Sequence, residues 1–283
     1  MTAGRFAGRH AVVTGASRGI GAALAERLAA EGADVVVTAR TVDRHDHLAG
    51  SLTETLARCR RHGTRVEAVA ADLGDPASRA TIIPSALALL DGKVDILVNN
   101  AAAAIYGSLL DYPARRLALM FQVNVLAPVE LTQAVIPAMA AAGEGWIVNV
   151  SSATARPAAG PPFRTSGVAG RIGVYGATKA ALNRVTNAFA VELTPLGVRI
   201  NTVEPRAAVL SEGAEALVGG TVTDDQIESL EAMVEATLAL CRCPPERTGG
   251  VHVSLDLLDE LGLTVMTLDG SAAYPGGQRV HRG

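Results

Sequence analysis

The sequence predicts an α/β fold in which helices cover both faces of a doubly wound parallel sheet. Three observations support this prediction: short apolar runs alternate with helical stretches, the runs are nearly continuous in apolar residues, and few long linkers separate them. Parallel strands covered on both faces have this apolar character, and strand–helix alternation is typical of βαβ units. We expect one domain over residues 1–283, with loop insertions at about 153–174 and 205–223 and an extended C-terminal tail at 269–283.

The first predicted strand leads into a glycine-rich turn and then a helix. His10–Thr14 is a short apolar run, Gly15–Gly21 has the spacing Gly-x-x-x-Gly-x-Gly, and Ala22–Leu28 has a helical pattern. Glycines let a backbone approach a phosphate closely, and the first N–H groups of the following helix point at it. The turn therefore predicts a phosphate cradle, with a ligand-free strand-to-helix turn as the alternative for this segment taken alone.

The remaining elements follow from the same alternation. The strands are predicted at Ala33–Thr38, Val66–Ala70, Val94–Asn99, Trp146–Val150, Val198–Val203, Val251–Leu255 and Thr264–Leu268. The helices are predicted at Leu48–His62, Pro76–Leu90, Ala114–Ala141, Val174–Leu196 and about Asp224–Leu240, with Asp256–Leu263 as a helical turn or hairpin connection. Pro137 is placed to kink the helix at Ala114–Ala141 near its end.

Two long loops leave the carboxyl ends of predicted strands. Ala153–Val174 is rich in Gly, Pro and Arg and precedes the helix that carries Tyr175, and Pro205–Thr223 follows the sixth strand. Open α/β sheets bind ligands at this edge, and loops of this length are commonly functional. We expect both loops to line a substrate pocket.

Composition limits the function classes open to the chain. With 283 residues, 49% of them hydrophobic, and a formal net charge of −3, the chain can bury a large core and gives no reason to propose a nucleic-acid partner. The N-terminus lacks a signal-peptide pattern and no apolar run reaches the roughly 20 residues of a membrane span, so we expect a cytoplasmic protein with no membrane partner. The three cysteines form no even framework, and neither Cys241-Arg242-Cys243 nor His45-Asp46-His47 predicts a metal site.

Tyr175 and Lys179 lie four residues apart, which places both side chains on one face of a helix. A phenol ordinarily loses its proton near pH ~10. A neighbouring ammonium favours the phenolate, so we expect the pKa of Tyr175 to move toward neutrality, where it could exchange a proton with a carbonyl or alcohol. Such pairs also occur by chance on helices, and the significance of this one depends on the other motifs.

Six motifs, in order along nearly the whole chain, resemble those of the short-chain dehydrogenase/reductase family. They are the cofactor turn Thr14–Gly21, the adenine-pocket pair Asp72-Leu73, the strand-closing Asn99-Asn100-Ala101, the helix asparagine Asn124, the strand-ending Ser151-Ser152, and the Tyr-x-x-x-Lys of Tyr175 and Lys179. The resemblance implies a Rossmann-like fold and hydride transfer between a nicotinamide cofactor and a carbonyl or secondary alcohol.

The same resemblance assigns roles to four residues. Tyr175 would act as general acid/base, Lys179 would lower its pKa and hold the nicotinamide ribose, Ser152 would orient the substrate oxygen, and Asn124 would hold a water linking Lys179 to solvent. The serines could instead cap a turn, and Asn124 could satisfy a buried backbone group. Besides Tyr175 and Lys179, the implied cofactor-binding residues are Gly15, Ser17, Arg18, Gly19, Ile20, Gly21, Arg40, Asp72, Leu73, Asn99 and Ala101.

The end of the second strand indicates which dinucleotide is bound. NAD-selective sites usually place a carboxylate there to accept a hydrogen bond from the ribose. Here Ala39 occupies that place, Arg40 follows, and Arg18 lies in the glycine turn. Because two guanidiniums can clamp a 2′-phosphate, we predict NADP in preference to NAD. The alternative is that both arginines are solvated.

Three features depart from the family pattern. Ala102 and Arg206 stand where glycine is usual, and the alanine is tolerable if its φ is negative. The 22 residues between Ser152 and Tyr175 exceed the usual gap, and the usual serine offset falls at about Pro162. Ser152 is retained as the catalytic serine, with Ser151 and Ser166 as alternatives.

The preferred function is an NADP-dependent oxidoreductase acting on a small-molecule ketone, aldehyde or secondary alcohol. The alternatives are a cofactor-sensing or interaction protein without turnover, and a different chemistry such as enoyl reduction. The resemblance also implies a homodimer or homotetramer packed through Ala114–Ala141 and Val174–Leu196. The loop arginines could receive an anionic substrate or could simply be solvated; they are Arg156, Arg164, Arg171 and Arg206.

Overall fold

Seven parallel strands form one sheet with the order β3-β2-β1-β4-β5-β6-β7 in the computed structural model, which describes residues 4–43, 49–163, 169–211 and 227–277. The strands are β1 (His10–Thr14), β2 (Asp34–Ala39), β3 (Val66–Ala70), β4 (Ile96–Asn99), β5 (Gly145–Val150), β6 (Val198–Glu204) and β7 (Val251–Val253). The strand order reverses between β1 and β4, so a crevice opens there at the carboxyl ends of the strands. The predicted doubly wound α/β fold is confirmed.

Helices cover both faces of the sheet. They are α1 (Gly19–Ala30), α2 (Leu52–Arg60), α3 (Pro76–Arg79), α4 (Ile82–Leu89), α5 (Ala114–Phe121), α6 (Ala127–Ala142), α7 (Gly173–Leu193), α8 (Leu230–Leu240) and α9 (Ser254–Leu261). One apolar cluster joins the sheet to α1, α2, α8 and α9, and a second joins it to α4, α6 and α7. Val13 belongs to the first cluster and Val12 to the second, because successive strand residues point to opposite faces. Burial on both faces explains the near-continuous apolar runs.

Local capping sets several helix boundaries that the sequence placed differently. The predicted helix at 48–62 begins at Leu52 because the Ser51 hydroxyl accepts a hydrogen bond from the Glu54 N–H at 3.1 Å. The predicted helix at about 224–240 begins at Leu230, where Ser229 is the cap; residues 224–226 lie outside the described part. The predicted helix at 76–90 is divided into α3 and α4, and α6 continues through Pro137 to a left-handed Gly143.

The C-terminal segment differs most from prediction. Residues 264–268 form no sheet strand: Met266 makes only an isolated antiparallel bridge to Ala273. The tail is not extended between 269 and 277, because the Asp269 carboxylate accepts hydrogen bonds from Thr267 and Ser271 and reverses the chain. Residues 278–283 lie outside the described part.

One helical run, Ala114–Ala142, is long and apolar enough to cross a membrane by length and composition, contrary to the expectation that no such run exists. Core helices of folded proteins pass the same test. Here Leu131, Val135 and Met139 lie in the apolar cluster between α6 and the sheet. We therefore interpret this run as a core helix.

Candidate active site

The glycine turn between β1 and α1 is closed by direct backbone contact. Gly15 and Gly19 have φ values of 66° and 54°, a region that favours glycine. A Cβ at Gly21 would lie 2.4 Å from the Gly15 carbonyl oxygen and 2.4 Å from the Asn100 side-chain nitrogen. The first turn of α1 therefore packs against the end of β1 at a distance that only glycine permits.

Asn100 joins this turn to the end of β4. Its side-chain amide donates to the Thr14 carbonyl at 2.9 Å, and the Thr14 hydroxyl accepts from the N–H groups of Asn100 and Ala101 at 3.0 and 3.1 Å. Asn99 does not present its amide to the crevice, because that amide is buried and donates to Asn149 at 2.9 Å. Asn100 was absent from the predicted site residues, although it lies within the motif that was recognised. Ala102 is unstrained, since Asp91 is the one described non-glycine residue with positive φ.

The start of α1 fits a dinucleotide pyrophosphate. Arg18 is the N-cap and its side chain makes no capping hydrogen bond, which leaves the first helical N–H groups for an external acceptor. Ser17 is buried, and Ile20 packs against the neighbouring apolar cluster, so their backbones are the parts suited to such a ligand. The Arg18 guanidinium donates to the backbone carbonyls of residues 49 and 50 at 2.8 and 3.2 Å.

The predicted adenine end is more open. Arg40 is 71% exposed and lies 3.9 Å from the Asp72 carboxylate. Asp72 also accepts a hydrogen bond from the Gly74 N–H at 2.8 Å, which fixes the turn after β3. Leu73 is buried in the second apolar cluster, so only its backbone is available to a ligand. Among the described residues Arg40 is therefore held by one long ion pair, from which it can turn toward a phosphate.

Tyr175, Lys179 and Ser152 meet at the carboxyl end of β5. The Lys179 ammonium is buried, donates to the Val150 carbonyl at 2.7 Å, and lies 5.8 Å from the centroid of the Tyr175 ring. Tyr175 is half-buried in the first turn of α7, and its hydroxyl is hydrogen-bonded to Ser152. The structure thus brings three of the four predicted catalytic residues into one cluster.

The two ionisable groups of this cluster are shifted by burial. Burial and the neighbouring Tyr106 raise the pKa of Tyr175 above its ordinary value, and the hydrogen bond with Ser152 opposes this rise. Burial lowers the pKa of Lys179 to about 8. The expected fall in the pKa of Tyr175 is therefore wrong for this structure, because desolvation of the phenolate is the largest influence on this pKa. Tyr175 is a neutral phenol at neutral pH.

A short 3₁₀ turn at Ala153–Ala155 sets the position of Ser152. The Ser152 hydroxyl oxygen accepts from the Thr154 N–H at 3.2 Å and from the Thr154 hydroxyl at 2.9 Å, so its own hydrogen is directed elsewhere. Gly176 of α7 packs against this turn, since a Cβ there would lie 2.3 Å from the Thr154 carbonyl oxygen. Ser151 instead donates to Asn183 at 2.6 Å. The alternative Ser166 lies outside the described residues.

Asn124 lies in a π-helical turn, Gln122–Leu126, between α5 and α6. Its side-chain N–H groups donate to the Ala103 carbonyl at 2.9 Å and the Thr178 hydroxyl at 3.0 Å, and its side-chain oxygen accepts from the Ala103 N–H at 2.7 Å. The side chain therefore satisfies buried groups, as the alternative interpretation predicted. Single π turns within helices are frequent at functional sites, and this one joins α7 to the segment after β4.

Carboxylates hold two of the loop arginines. Arg156 donates from Nε to Glu204 at 2.9 Å, and its Nη2 contacts the same carboxylate oxygen. Glu204 ends β6, with its side chain 2% exposed. The Arg206 side chain pairs with Asp256 of α9. These two arginines are therefore not free anion receptors, whereas Arg164 lies outside the described residues.

The loop after β6 is held by a second buried carboxylate. Glu228 accepts the Arg206 N–H at 2.7 Å, and burial raises the pKa of its carboxyl. Neither Glu204 nor Glu228 was among the predicted site residues. The position of Glu204, a charged residue at the end of the apolar run of β6, could have indicated a buried carboxylate there. Within the described ranges no group of three or more His, Cys, Asp or Glu side chains gathers, and the His45–His47 segment is outside them.

A family model described as "short chain dehydrogenase" matches residues 9–217. The chain belongs to this family. It is therefore an NAD(P)-dependent dehydrogenase or reductase, as its motifs predicted. Among curated relatives, L-xylo-3-hexulose reductase of Hypocrea jecorina is 38% identical over 228 residues, covering 75% of this chain and 70% of the relative.

Solved members of the family share the fold. A short-chain dehydrogenase of Mycobacterium thermoresistibile superposes with a TM-score of 0.79 at 27% identity, covering 97% of this chain and 94% of the other. The 3-oxoacyl (acyl-carrier-protein) reductase of Agrobacterium tumefaciens C58, solved with NADP bound, has a TM-score of 0.73 at 30% identity, covering 88% of this chain and 93% of the other.

Proposed function

We propose that this family member is an NADP-dependent carbonyl reductase in which Tyr175 is the general acid. The observation that carries the proposal is the cluster of Tyr175, Ser152 and Lys179 at the carboxyl end of β5. A neutral phenol can donate a proton to a carbonyl oxygen, and the raised pKa of Tyr175 keeps it neutral. Tyr175 would therefore donate the proton in reduction of a ketone or aldehyde and accept it in the reverse oxidation.

The remaining residues would position the reacting groups. A nicotinamide bound along the glycine turn would supply the hydride. Ser152 accepts two hydrogen bonds from Thr154, so its own hydrogen points to the Tyr175 oxygen, where a substrate oxygen would compete for it. Lys179 would hold the ribose and favour the developing phenolate. Asn124 would hold the segment after β4 in place against α7. We also propose that Asn124 holds a water that links Lys179 to solvent.

Three observations support NADP as the cofactor. Ala39 ends β2 where an NAD-selective carboxylate would be expected. Arg40 is exposed beside it, and its long contact with Asp72 leaves it able to reach a 2′-phosphate. The related 3-oxoacyl reductase was solved with NADP. Gly15, Gly19, Gly21 and Ala101 would shape the pyrophosphate and nicotinamide ends of the site.

We also propose a cytoplasmic homodimer or homotetramer. The helical run of α5 and α6 and the helix α7 would form the contact between subunits, because Leu126 and Val191 expose 40% and 74% of their surface there. The substrate would reach the crevice through the loops that follow β4, β5 and β6.

Steady-state reduction of a panel of ketones with NADPH and NADH tests the proposed function. We expect turnover with NADPH and a fall in kcat of at least about 100-fold in Tyr175→Phe, because the variant keeps the ring and loses the proton donor. The affinity for NADPH, measured by fluorescence titration, should change little. Tight NADPH binding without turnover of any carbonyl compound would instead favour the sensor function.

A further inference from the structure

We propose that Tyr106 determines substrate specificity and selects uncharged ketones or aldehydes that carry an apolar group beside the carbonyl. The inference rests on the proposed function, since it assigns a substrate class to the same site. Its main observation is that the Tyr106 ring lies against the Tyr175 ring, with centroids 5.8 Å apart and planes inclined by 58°. A residue in contact with the proposed proton donor is placed to contact the substrate.

The segment 103–107, which carries Tyr106, is fixed by hydrogen bonds from behind. Asn124 makes two hydrogen bonds to the backbone of Ala103, at 2.7 and 2.9 Å. The Tyr112 hydroxyl donates to the Ile105 carbonyl at 2.8 Å. These contacts lie three residues and one residue before Tyr106, so its backbone is held in place before any substrate binds, which lowers the cost of binding.

The same segment is tied to the helix that carries Tyr175. The Gly107 N–H donates to the Arg171 carbonyl at 2.9 Å, two residues before α7 begins. Tyr175 is the third residue of α7. The two tyrosines are therefore held in one local frame.

The surface beyond Tyr106 is apolar. Leu109 packs against the first residue of α7, where a Cβ at Gly173 would lie 2.7 Å from Leu109 Cδ1. Leu109 is 64% exposed and Leu110 is 99% exposed. Tyr106 itself is half-buried, so part of its ring remains available for contact. An aromatic or aliphatic group beside the carbonyl could cover this surface while its oxygen faces Tyr175.

Charge on the neighbouring loops does not favour an anion. Arg156 pairs with the buried Glu204, and Arg206 pairs with Asp256. A substrate carboxylate would have to break one of these pairs to bind Arg156 or Arg206, and breaking the first would leave Glu204 buried without its cation. An uncharged substrate avoids this cost.

The experiment compares three carbonyl probes with the full chain and NADPH: acetophenone, pyruvate and dihydroxyacetone. We expect kcat/KM of the wild-type protein to be highest for acetophenone, by about tenfold or more. Removing an apolar group of this size from water should raise kcat/KM by at least that factor. Tyr106→Ala should lower kcat/KM for acetophenone by about tenfold and for dihydroxyacetone by less than about twofold. Tyr106→Phe should stay within about twofold, because it keeps the ring face.

Tyr274→Phe is the matched control, since it removes a tyrosine hydroxyl from the C-terminal segment rather than from the crevice, and it should change none of the three rates. NADPH affinity and thermal denaturation check that each variant folds. A preference for pyruvate or dihydroxyacetone would overturn the inference. An equal loss for all three probes in Tyr106→Ala would overturn it as well. So would a loss for acetophenone in Tyr106→Phe as large as that in Tyr106→Ala.

Failure of the inference can be told from failure of the proposed function. Turnover that is abolished in Tyr175→Phe but insensitive to Tyr106→Ala overturns the specificity role alone. Absence of turnover with every probe overturns both. Should Tyr106→Ala fail to fold, the inference would still be overturned by a preference of the wild-type protein for pyruvate or dihydroxyacetone, or by a loss of more than about twofold for acetophenone in Tyr106→Phe.

Discussion

The two sides of the crevice are built from different interactions. On the cofactor side, the glycine turn after β1 and the end of β4 meet through backbone and short side chains, with Asn100 and Thr14 joining them. On the substrate side, the loops after β5 and β6 are held by long charged side chains, including the pair of Arg156 and Glu204. The first side depends on the absence of side-chain volume and the second on the presence of charge.

The two sides should tolerate different substitutions. A close backbone contact has no slack, so an added methyl group must displace the chain. A charged pair at a loop can lose its exposed member to solvent, and the cost then depends on how deeply the other member is buried. The cofactor side should therefore respond mainly to volume and the substrate side mainly to charge.

Gly21→Ala is the strongest test of this contrast. Because its Cβ would lie 2.4 Å from the Gly15 carbonyl oxygen, we expect the dissociation constant for NADPH to rise by about 100-fold or more. Fluorescence titration measures the constant, and thermal denaturation separates misfolding from lost affinity. The matched control is Gly170→Ala on the substrate side, where a Cβ meets no atom of the described residues within 4 Å. Wild-type affinity in Gly21→Ala would show that the turn is not closed by steric contact.

Arg40→Asp tests the one place where charge should matter on the cofactor side. We expect the ratio of kcat/KM with NADPH to that with NADH to fall by about 10- to 100-fold, because a carboxylate repels a 2′-phosphate and accepts from a ribose hydroxyl. The charge-matched control is Arg242→Asp, an exposed residue just after α8, which should leave the ratio unchanged. An unchanged ratio in Arg40→Asp would mean that Arg40 is only a solvated arginine.

Most of the fold and of the cofactor side could be predicted because their signals are local. Apolar runs mark buried strands, and the spacing of Gly15, Gly19 and Gly21 marks the turn whichever residues pack against it. The apolar stretch at 264–268 misled the prediction, since the turn at Asp269 folds it back before it can join the sheet. A local apolar pattern does not reveal which hydrogen bonds the next residues will make.

The substrate side could not be predicted in the same way. The contact of Tyr106 with Tyr175 and the pairing of Arg156 with Glu204 join residues 69 and 48 positions apart in sequence, and no local spacing records them. The fall expected in the pKa of Tyr175 failed for the same reason, because the burial that raises this pKa is created by distant segments. Residue type alone indicated the chemistry there, and only the fold supplied its surroundings.

The pair of Arg156 and Glu204 tests the substrate side with the smallest expected effect. Glu204 has a side chain that is 2% exposed, whereas Arg156 is 59% exposed. Arg156→Ala leaves a buried carboxylate without its cation and should lower the free energy of unfolding by about 1–2 kcal/mol, allowing for the exposure of Arg156. Glu204→Gln removes the buried charge and lets Arg156 return to water, so it should cost about 1 kcal/mol or less.

Urea denaturation of both single variants and of the double variant separates these contributions. We expect the double variant to be more stable than Arg156→Ala alone, because the glutamine no longer carries an unpaired buried charge. NADPH affinity should stay unchanged in all three, since the pair lies on the other side of the crevice from the glycine turn. If Arg156→Ala cost no more than Glu204→Gln, the carboxylate would not depend on its partner, and volume rather than charge would govern both sides of the site.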